Sequence, residues 1–130
     1  MDTFICKIVD VNKIPSPDGR YQAIVFTKDC GGGASAFTPY VSIFKPGEKL
    51  HNYQVGNVFI GGSGEYFVKA KWITDNHLVI WYKIGKDSLN RDILPTLMVT
   101  HKYDTLIEYM TCQTPLAPNK CVHSAALLRK

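Results

Sequence analysis

The segment from Ser16 to Phe26 constrains the fold of this chain more than any other part of the sequence. It opens with Ser-Pro-Asp-Gly, in which proline and glycine have the spacing of a tight turn. The residues that follow alternate between two faces, Tyr21, Ala23 and Val25 on one and Gln22, Ile24 and Phe26 on the other. A turn that leads at once into a strand predicts a small β-rich domain.

A second unit, from Val68 to Ile84, predicts a β-hairpin. Residues 68–73 and 78–84 have strand-like alternation on either side of residues 74–77. Asp75 and Asn76 favour a turn there, because their side chains bond to nearby backbone and tolerate left-handed geometry. This is the strongest hairpin prediction in the chain.

Further segments extend the β-pattern. The sequence predicts strands at 4–11, 21–28, 37–44 and 97–103, and a hairpin or a wide loop between 58–60 and 66–68. Residues 104–110 have the spacing of a short helix with Asp104 as its N-cap, and 123–130 fit a short helix or a tail. The expected fold is mainly β: a single twisted antiparallel sheet, or a small sandwich or half-barrel, of five to seven strands with a short C-terminal helix.

Composition fits one domain over residues 1–130. Hydrophobic residues make up 45% of the chain and aromatic residues 12%, which argues against disorder. The net charge of +4 comes from scattered lysines and arginines, a pattern more typical of solubility than of a nucleic-acid groove. Neither a signal peptide nor a long apolar run is visible, so the sequence predicts a cytoplasmic protein without a membrane partner.

The four cysteines leave two alternatives open. Cys112 and Cys121 flank a proline-rich loop, and their closeness makes them a possible disulfide. In the cytoplasm both would remain thiols, and the sequence does not decide the redox state of Cys6 or Cys30 either. A bridge that closes so short a loop would contribute about 2–3 kcal/mol.

Candidate reactive sites have simpler explanations. Cys30 lacks the surrounding signature of a nucleophile, and it fits a loop cysteine beside glycines. The spacing of Cys112, Cys121 and His123 does not suit zinc, so no metal or other cofactor is expected. The glycines at 31–33 and 61–64 precede strands rather than helices, which favours hairpin turns over phosphate loops. The carboxylates are dispersed, and we therefore expect no enzymatic activity.

The hairpin around Trp81 has the residue types of a binding surface. Large aromatic residues beside cations anchor protein interfaces, and they also stack on nucleic-acid bases. The predicted partner-binding residues are Trp81, Tyr82, Lys69, Lys71, Lys83 and Phe37. The alternative is that the aromatic residues belong to the core of a covered sheet, with the lysines at its rim.

Two motifs carry a resemblance to known proteins. Ser-Pro-Asp-Gly-Arg-Tyr at 16–21 and the tryptophan hairpin at 72–82 resemble strands of β-propeller blades, although this chain is too short for a propeller. With Asp-Cys-Gly at 29–31 and Val-Ser-Ile at 41–43, their order resembles a small bacterial domain family of unknown function over roughly residues 14–84. That resemblance implies a β-architecture in a bacterial or phage context and supplies no mechanism.

The function expected from these features is non-enzymatic protein binding. Small single-domain proteins of this type are often inhibitors, such as bacterial immunity proteins or phage-encoded anti-defence proteins, which cover a surface of their partner. Two alternatives remain: a small-ligand site at the glycine loops 31–33 and 61–64, and weak nucleic-acid binding.

Overall fold

The computed structural model describes residues 7–29, 37–51, 53–62, 67–112 and 121–123. These residues are mainly β and contain no helix. The strands are β1 (Lys7–Pro15), β2 (Gln22–Asp29), β3 (Phe37–Phe44), β4 (Phe59–Ile60), β5 (Val68–Thr74), β6 (His77–Tyr82), β7 (Gly85–Lys86), β8 (Asp92–Ile93), β9 (Leu97–Met98), β10 (His101–Lys102), β11 (Thr105–Thr111) and β12 (Val122–His123). The mainly β prediction is confirmed.

The strands form more than one sheet. The first sheet has the order β1-β2-β3-β4-β9, and the second has the order β10-β11-β6-β5 with β12 beside β11. Strands β7 and β8 form a separate pair. Pairing is antiparallel except between β11 and β6, which run parallel from Leu106–His77 to Thr111–Tyr82. The prediction of a single antiparallel sheet is therefore wrong, since the sheets are several and one is mixed. The described residues form twelve strands rather than the predicted five to seven, and six of the twelve have only two residues.

The predicted helix at 104–110 is also wrong. Residues Thr105–Thr111 form β11, in which Thr105, Ile107 and Tyr109 are buried while Leu106 is exposed. This burial has the period of two that a strand requires, and neighbouring β6 satisfies its backbone. The predicted helix or tail at 123–130 lies outside the described residues after His123.

In the described part of the chain, no helix is long and apolar enough to cross a membrane.

The two predicted hairpins have different outcomes. Strands β5 and β6 pair antiparallel from Val68–Tyr82 to Thr74–His77, which confirms the tryptophan hairpin and its turn at Asp75 and Asn76. Of the two alternatives for 58–60 and 66–68, the hairpin is wrong, because β4 pairs with β3 and β9 instead. Since β4 has only two residues, its partners are set by tertiary packing rather than by its own pattern.

The turn at the start of β2 forms as the sequence predicts. Gly19 donates its N–H to the Ser16 carbonyl at 2.9 Å, and it has a φ of +76°, a conformation that glycine adopts without strain. Arg20 Nε lies 2.6 Å from Asp18 Oδ2, and the Arg20 backbone N–H donates to Asp18 Oδ1 at 3.1 Å. These two hydrogen bonds lower the pKa of Asp18 to about 2. The motif Ser-Pro-Asp-Gly-Arg is therefore explained by local structure.

One hydrophobic core joins the two larger sheets. Ala23, Val41, Ile43, Val58 and Phe59 come from the first sheet and its β3–β4 connection, and Trp72, Leu78, Ile80, Tyr82, Ile107 and Tyr109 come from the second. The Tyr109 hydroxyl lies 2.9 Å from the Val58 carbonyl oxygen and 2.7 Å from that of Val99. Burial raises the pKa of Tyr109. This side chain therefore links β11 to Val58, which precedes β4, and to Val99, which follows β9.

A second, smaller cluster lies on the opposite face of the first sheet. It consists of buried Ile24, Phe26 and Phe44, with Ile8, Tyr40 and Leu50 packed against them. The pattern of β2 explains this placement, because Ala23 faces the main core while its neighbour Ile24 faces away from it. Strand β2 is thus covered on both faces.

Cys112 and Cys121 form a disulfide in the structure, and Cys112 is buried. The bond closes a loop with a sequence separation of 9 and holds β12 beside β11.

We expect Cys121→Ser to lower the free energy of unfolding by about 2–3 kcal/mol, because the unfolded chain loses its cross-link. Urea unfolding measures this change. Reductant should destabilise the wild-type protein by about this amount more than it destabilises Cys121→Ser. An equal effect of reductant on the two proteins would contradict the expectation.

Candidate functional site

One face of the second sheet points away from the main core, and we call it the outer face. Strand alternation and register place on it Lys69, Lys71, His77, Val79, Trp81, Leu106, Glu108, Met110 and His123. Directly paired residues of neighbouring strands share a face, so these side chains form a continuous surface across β5, β6, β11 and β12.

The two tryptophans lie on opposite faces of the hairpin. Trp72 is 7% exposed, belongs to the main core and donates its Nε1–H to the Ile14 carbonyl at 2.8 Å. Trp81 is only partly buried and faces outward. The sequence analysis named Trp81, and not Trp72, among the predicted partner-binding residues, and of the two tryptophans Trp81 is the partly exposed one.

Trp81 lies at the middle of a row of side chains that runs across four strands. Its register partners are Lys69 on β5 and Met110 on β11, and Met110 is in turn paired with His123 on β12. Lys69 is exposed, and Met110 is half-buried. The row therefore combines an aromatic and a thioether surface with a cation at one end and an imidazole at the other.

A hydrogen-bonded triad lies on the same face. His77 Nε2 bonds to Oε1 of Glu108, and His123 Nε2 lies 2.7 Å from Oε2 of the same carboxylate. The bond from His123, followed by that from His77, lowers the pKa of Glu108 below its usual range. Among the described residues, no group of three or more His, Cys, Asp or Glu side chains has an arrangement that could hold a metal ion.

We expect the triad to make the stability of the protein depend on pH. The folded-state pKa of Glu108 is below the unfolded value, so the stability from the ionised carboxylate is fully present above the ordinary glutamate pKa of about 4.3 and is lost as the pH falls through the folded value. We expect Glu108→Gln to reduce the acid-induced loss of unfolding free energy by about 1 kcal/mol, since the triad is partly exposed.

Urea titrations at neutral pH and at about pH 3 measure this effect. Asp75→Asn is the matched control, because Asp75 is an exposed carboxylate in the β5–β6 turn and lies outside the triad. The control should retain the wild-type pH dependence. An unchanged acid-induced loss in Glu108→Gln would show that the triad does not contribute.

The remaining predicted binding residues do not all meet on the outer face. Lys71 is exposed there, with Val79 as its register partner. Tyr82 is 2% exposed and packs against Phe59 and Tyr109 in the core, so we remove it from the binding surface. Lys83 follows β6 and is half-buried. Phe37 begins β3 in the other sheet, and its side chain is outside the described part of the chain.

A second polar surface lies where the β1–β2 turn meets the β10–β11 turn, and sequence reasoning missed it. The rings of Tyr21 and Tyr103 stack with centroids 5.5 Å apart, and the Tyr21 hydroxyl donates to Asp104 at 2.5 Å. Lys45 Nζ lies 4.5 Å from the Tyr103 ring centroid. Tyr103 has a φ of +56°, which is rare for a bulky residue. The contacts join residues that are far apart in sequence, so no local pattern predicts this surface. The turn after Lys102 is the one local feature that could have pointed to it.

The described glycines of the second glycine loop have a packing role. A Cβ added to Gly62 would lie 2.3 Å from Cγ2 of Ile93, so this position has no room for a side chain. Gly61 donates its N–H to the Pro39 carbonyl at 2.9 Å. These contacts do not favour a ligand site at 61–62. Residues 31–33 and 63–64 lie outside the described residues, and their predicted ligand role stays a prediction.

Comparison of the chain with family models, curated proteins and solved structures found no match. The resemblance of residues 14–84 to a bacterial domain family therefore stays a prediction.

Proposed function

We propose that this protein is a non-enzymatic binding module whose outer face contacts an acidic surface of another protein. The observation that supports this proposal is the row through Trp81, where an aromatic residue and Met110 lie between cationic Lys69 and the histidine–glutamate triad. Protein interfaces combine an apolar centre with a polar rim, and tryptophan is among the residues most often found to dominate their energetics.

The charges on this face favour an acidic partner. Lys69 and Lys71 are both exposed on β5, and neither forms an ion pair with a described residue. Glu108 is the carboxylate of the face, and it already bonds to two histidines. Two uncompensated cations beside Trp81 therefore complement carboxylates on a partner.

The same charges favour a protein over nucleic acid. A polyphosphate backbone that crossed the outer face from Lys69 and Lys71 on β5 would meet the Glu108 carboxylate on β11. Nucleic-acid surfaces are built from continuous basic grooves with stacking aromatics, and a central carboxylate opposes that arrangement. Weak nucleic-acid binding remains an alternative, and it predicts a steep loss of affinity as salt is added.

Within this class, we favour an inhibitor that covers its partner's surface, as an immunity protein or a phage-encoded anti-defence protein does. A rigid sheet face suits this role, because little conformational entropy is lost when it binds. The outer face would then be the part of the molecule that blocks access to the partner.

Capture from bacterial lysate tests the proposal. Tagged wild-type protein, Trp81→Ala and the charge-reversed Lys69→Glu/Lys71→Glu variant are used side by side, followed by affinity measurements with the purified partner. We expect the wild type to retain a stoichiometric acidic protein that both variants lose. Equal retention by all three would contradict the outer face, and an empty capture by folded wild type would favour the small-ligand alternative.

A further inference from the structure

A groove on the first sheet has the features of a small-ligand site distinct from the outer face. It is an open cavity of about 570 Å³ between strands β1 and β2 and the segment at 48–50 that follows β3. Small-molecule sites in proteins usually have volumes of this order. It lies on the face of the first sheet that is turned away from the main core.

The wall of the groove is apolar because it belongs to the second hydrophobic cluster. Ile24 is 2% exposed and forms part of that cluster, and half-buried Ile8 and Leu50 pack against it. All three side chains line the groove. A ligand in the groove would therefore extend an existing apolar cluster and remove its edge from water.

A β-bulge shapes the open side of the groove. The register of β1 against β2 shifts between Val9 and Asn12, and Asp10 within the bulge has a φ of +53°. The bulge contains one extra residue, and Val11 within it is 44% exposed at the groove wall. Bulges often re-aim a side chain beside a binding site, and here the bulge places an exposed apolar residue where a ligand could cover it.

Two lysines give the rim of the groove a positive character. Lys13 and Lys49 line it, and neither has an ion-pair partner among the described residues. Glu48 is the carboxylate at the rim, and its Oε1 accepts the Lys45 backbone N–H at 2.6 Å, which fixes the carboxylate to its own turn. Gln22 adds an amide that can donate a hydrogen bond.

We propose that this groove binds a small amphipathic acid, with its alkyl chain against Ile8, Ile24 and Leu50 and its carboxylate beside Lys13 and Lys49. The apolar wall and the two lysines without an ion pair to a described residue select this chemistry together, since neither an uncharged chain nor a small hydrophilic anion would use both. The site does not depend on the protein-binding function proposed for the outer face.

Titration calorimetry with decanoate, kept below its micelle concentration, tests this proposal. We expect saturable one-to-one binding to wild-type protein, and affinity about tenfold lower in the Lys13→Ala/Lys49→Ala variant, because two exposed cations are removed. Lys7→Ala is the matched control, since Lys7 is an exposed lysine of the same strand that does not line the groove, and its affinity should equal that of wild type.

Val11→Asp provides a second test that does not disturb the core. Val11 is exposed at the groove wall, so the variant should fold with a wild-type circular dichroism spectrum, and its carboxylate should repel decanoate and abolish measurable binding. The proposal would be overturned if wild-type protein showed no saturable binding, or if the affinity were unchanged in the double lysine variant or in Val11→Asp. Binding of decanol as tight as that of decanoate would also overturn it.

Discussion

Trp72→Ala is expected to lower the free energy of unfolding by about 3–5 kcal/mol, the largest stability effect we expect from a single substitution in this chain. Trp72 is 7% exposed in the core shared by both sheets, and truncation would leave a large cavity. The substitution also removes the hydrogen bond from Nε1 to the Ile14 carbonyl, which links β5 to β1 of the other sheet. Urea unfolding followed by circular dichroism measures the change.

The control for this experiment is Trp81→Ala on the same hairpin. Because Trp81 is outside the core and partly exposed, its truncation should cost about 1 kcal/mol or less. Similar destabilisation by the two substitutions would contradict the assignment of Trp72 to the core and Trp81 to the surface.

Trp81→Ala should affect binding rather than stability. We expect it to reduce the affinity for the proposed protein partner about thirtyfold. Trp81 supplies the large aromatic surface of the outer face, next to Met110 and Lys69. A central aromatic anchor typically contributes about 2 kcal/mol or more to an interface. Surface plasmon resonance with the captured partner measures the dissociation constants.

Two variants make this binding result interpretable. Val122→Ala removes an exposed apolar side chain on β12, outside the Trp81 row, and should bind like the wild type. Trp81→Phe should recover part of the affinity, because it restores an aromatic ring. Wild-type affinity in Trp81→Ala, with a folded protein, would remove Trp81 from the interface.

The sequence predicted the parts of the fold whose determinants are local. The turn at 16–19 and the β5–β6 hairpin formed as expected, because their turn residues and alternating strands lie next to one another in the chain. The helix predicted at 104–110 failed for the opposite reason. Leu106, Tyr109 and Met110 fit a helical spacing, but the parallel pairing with β6 and the burial of Ile107 and Tyr109 favour a strand.

The candidate site was predictable in part. Trp81, Lys69 and Lys71 could be placed together because they belong to one hairpin, whose register follows from its turn. The triad could not, since Glu108 and His123 reach Trp81's face only through pairings of β11 with β6 and of β12 with β11. Tyr82 was misplaced because the sequence does not say which face of the hairpin is covered, and the core side contains Phe59 and Tyr109.

An NMR titration of isotopically labelled protein with the captured partner tests the central claim most directly. If the outer face is the binding surface, the largest amide shift changes will occur at Lys69, Trp81 and Met110, and will decline toward β1 and β2. Shift changes confined to β1–β3, or to the surface around Tyr21 and Tyr103, would contradict the outer face as the functional site.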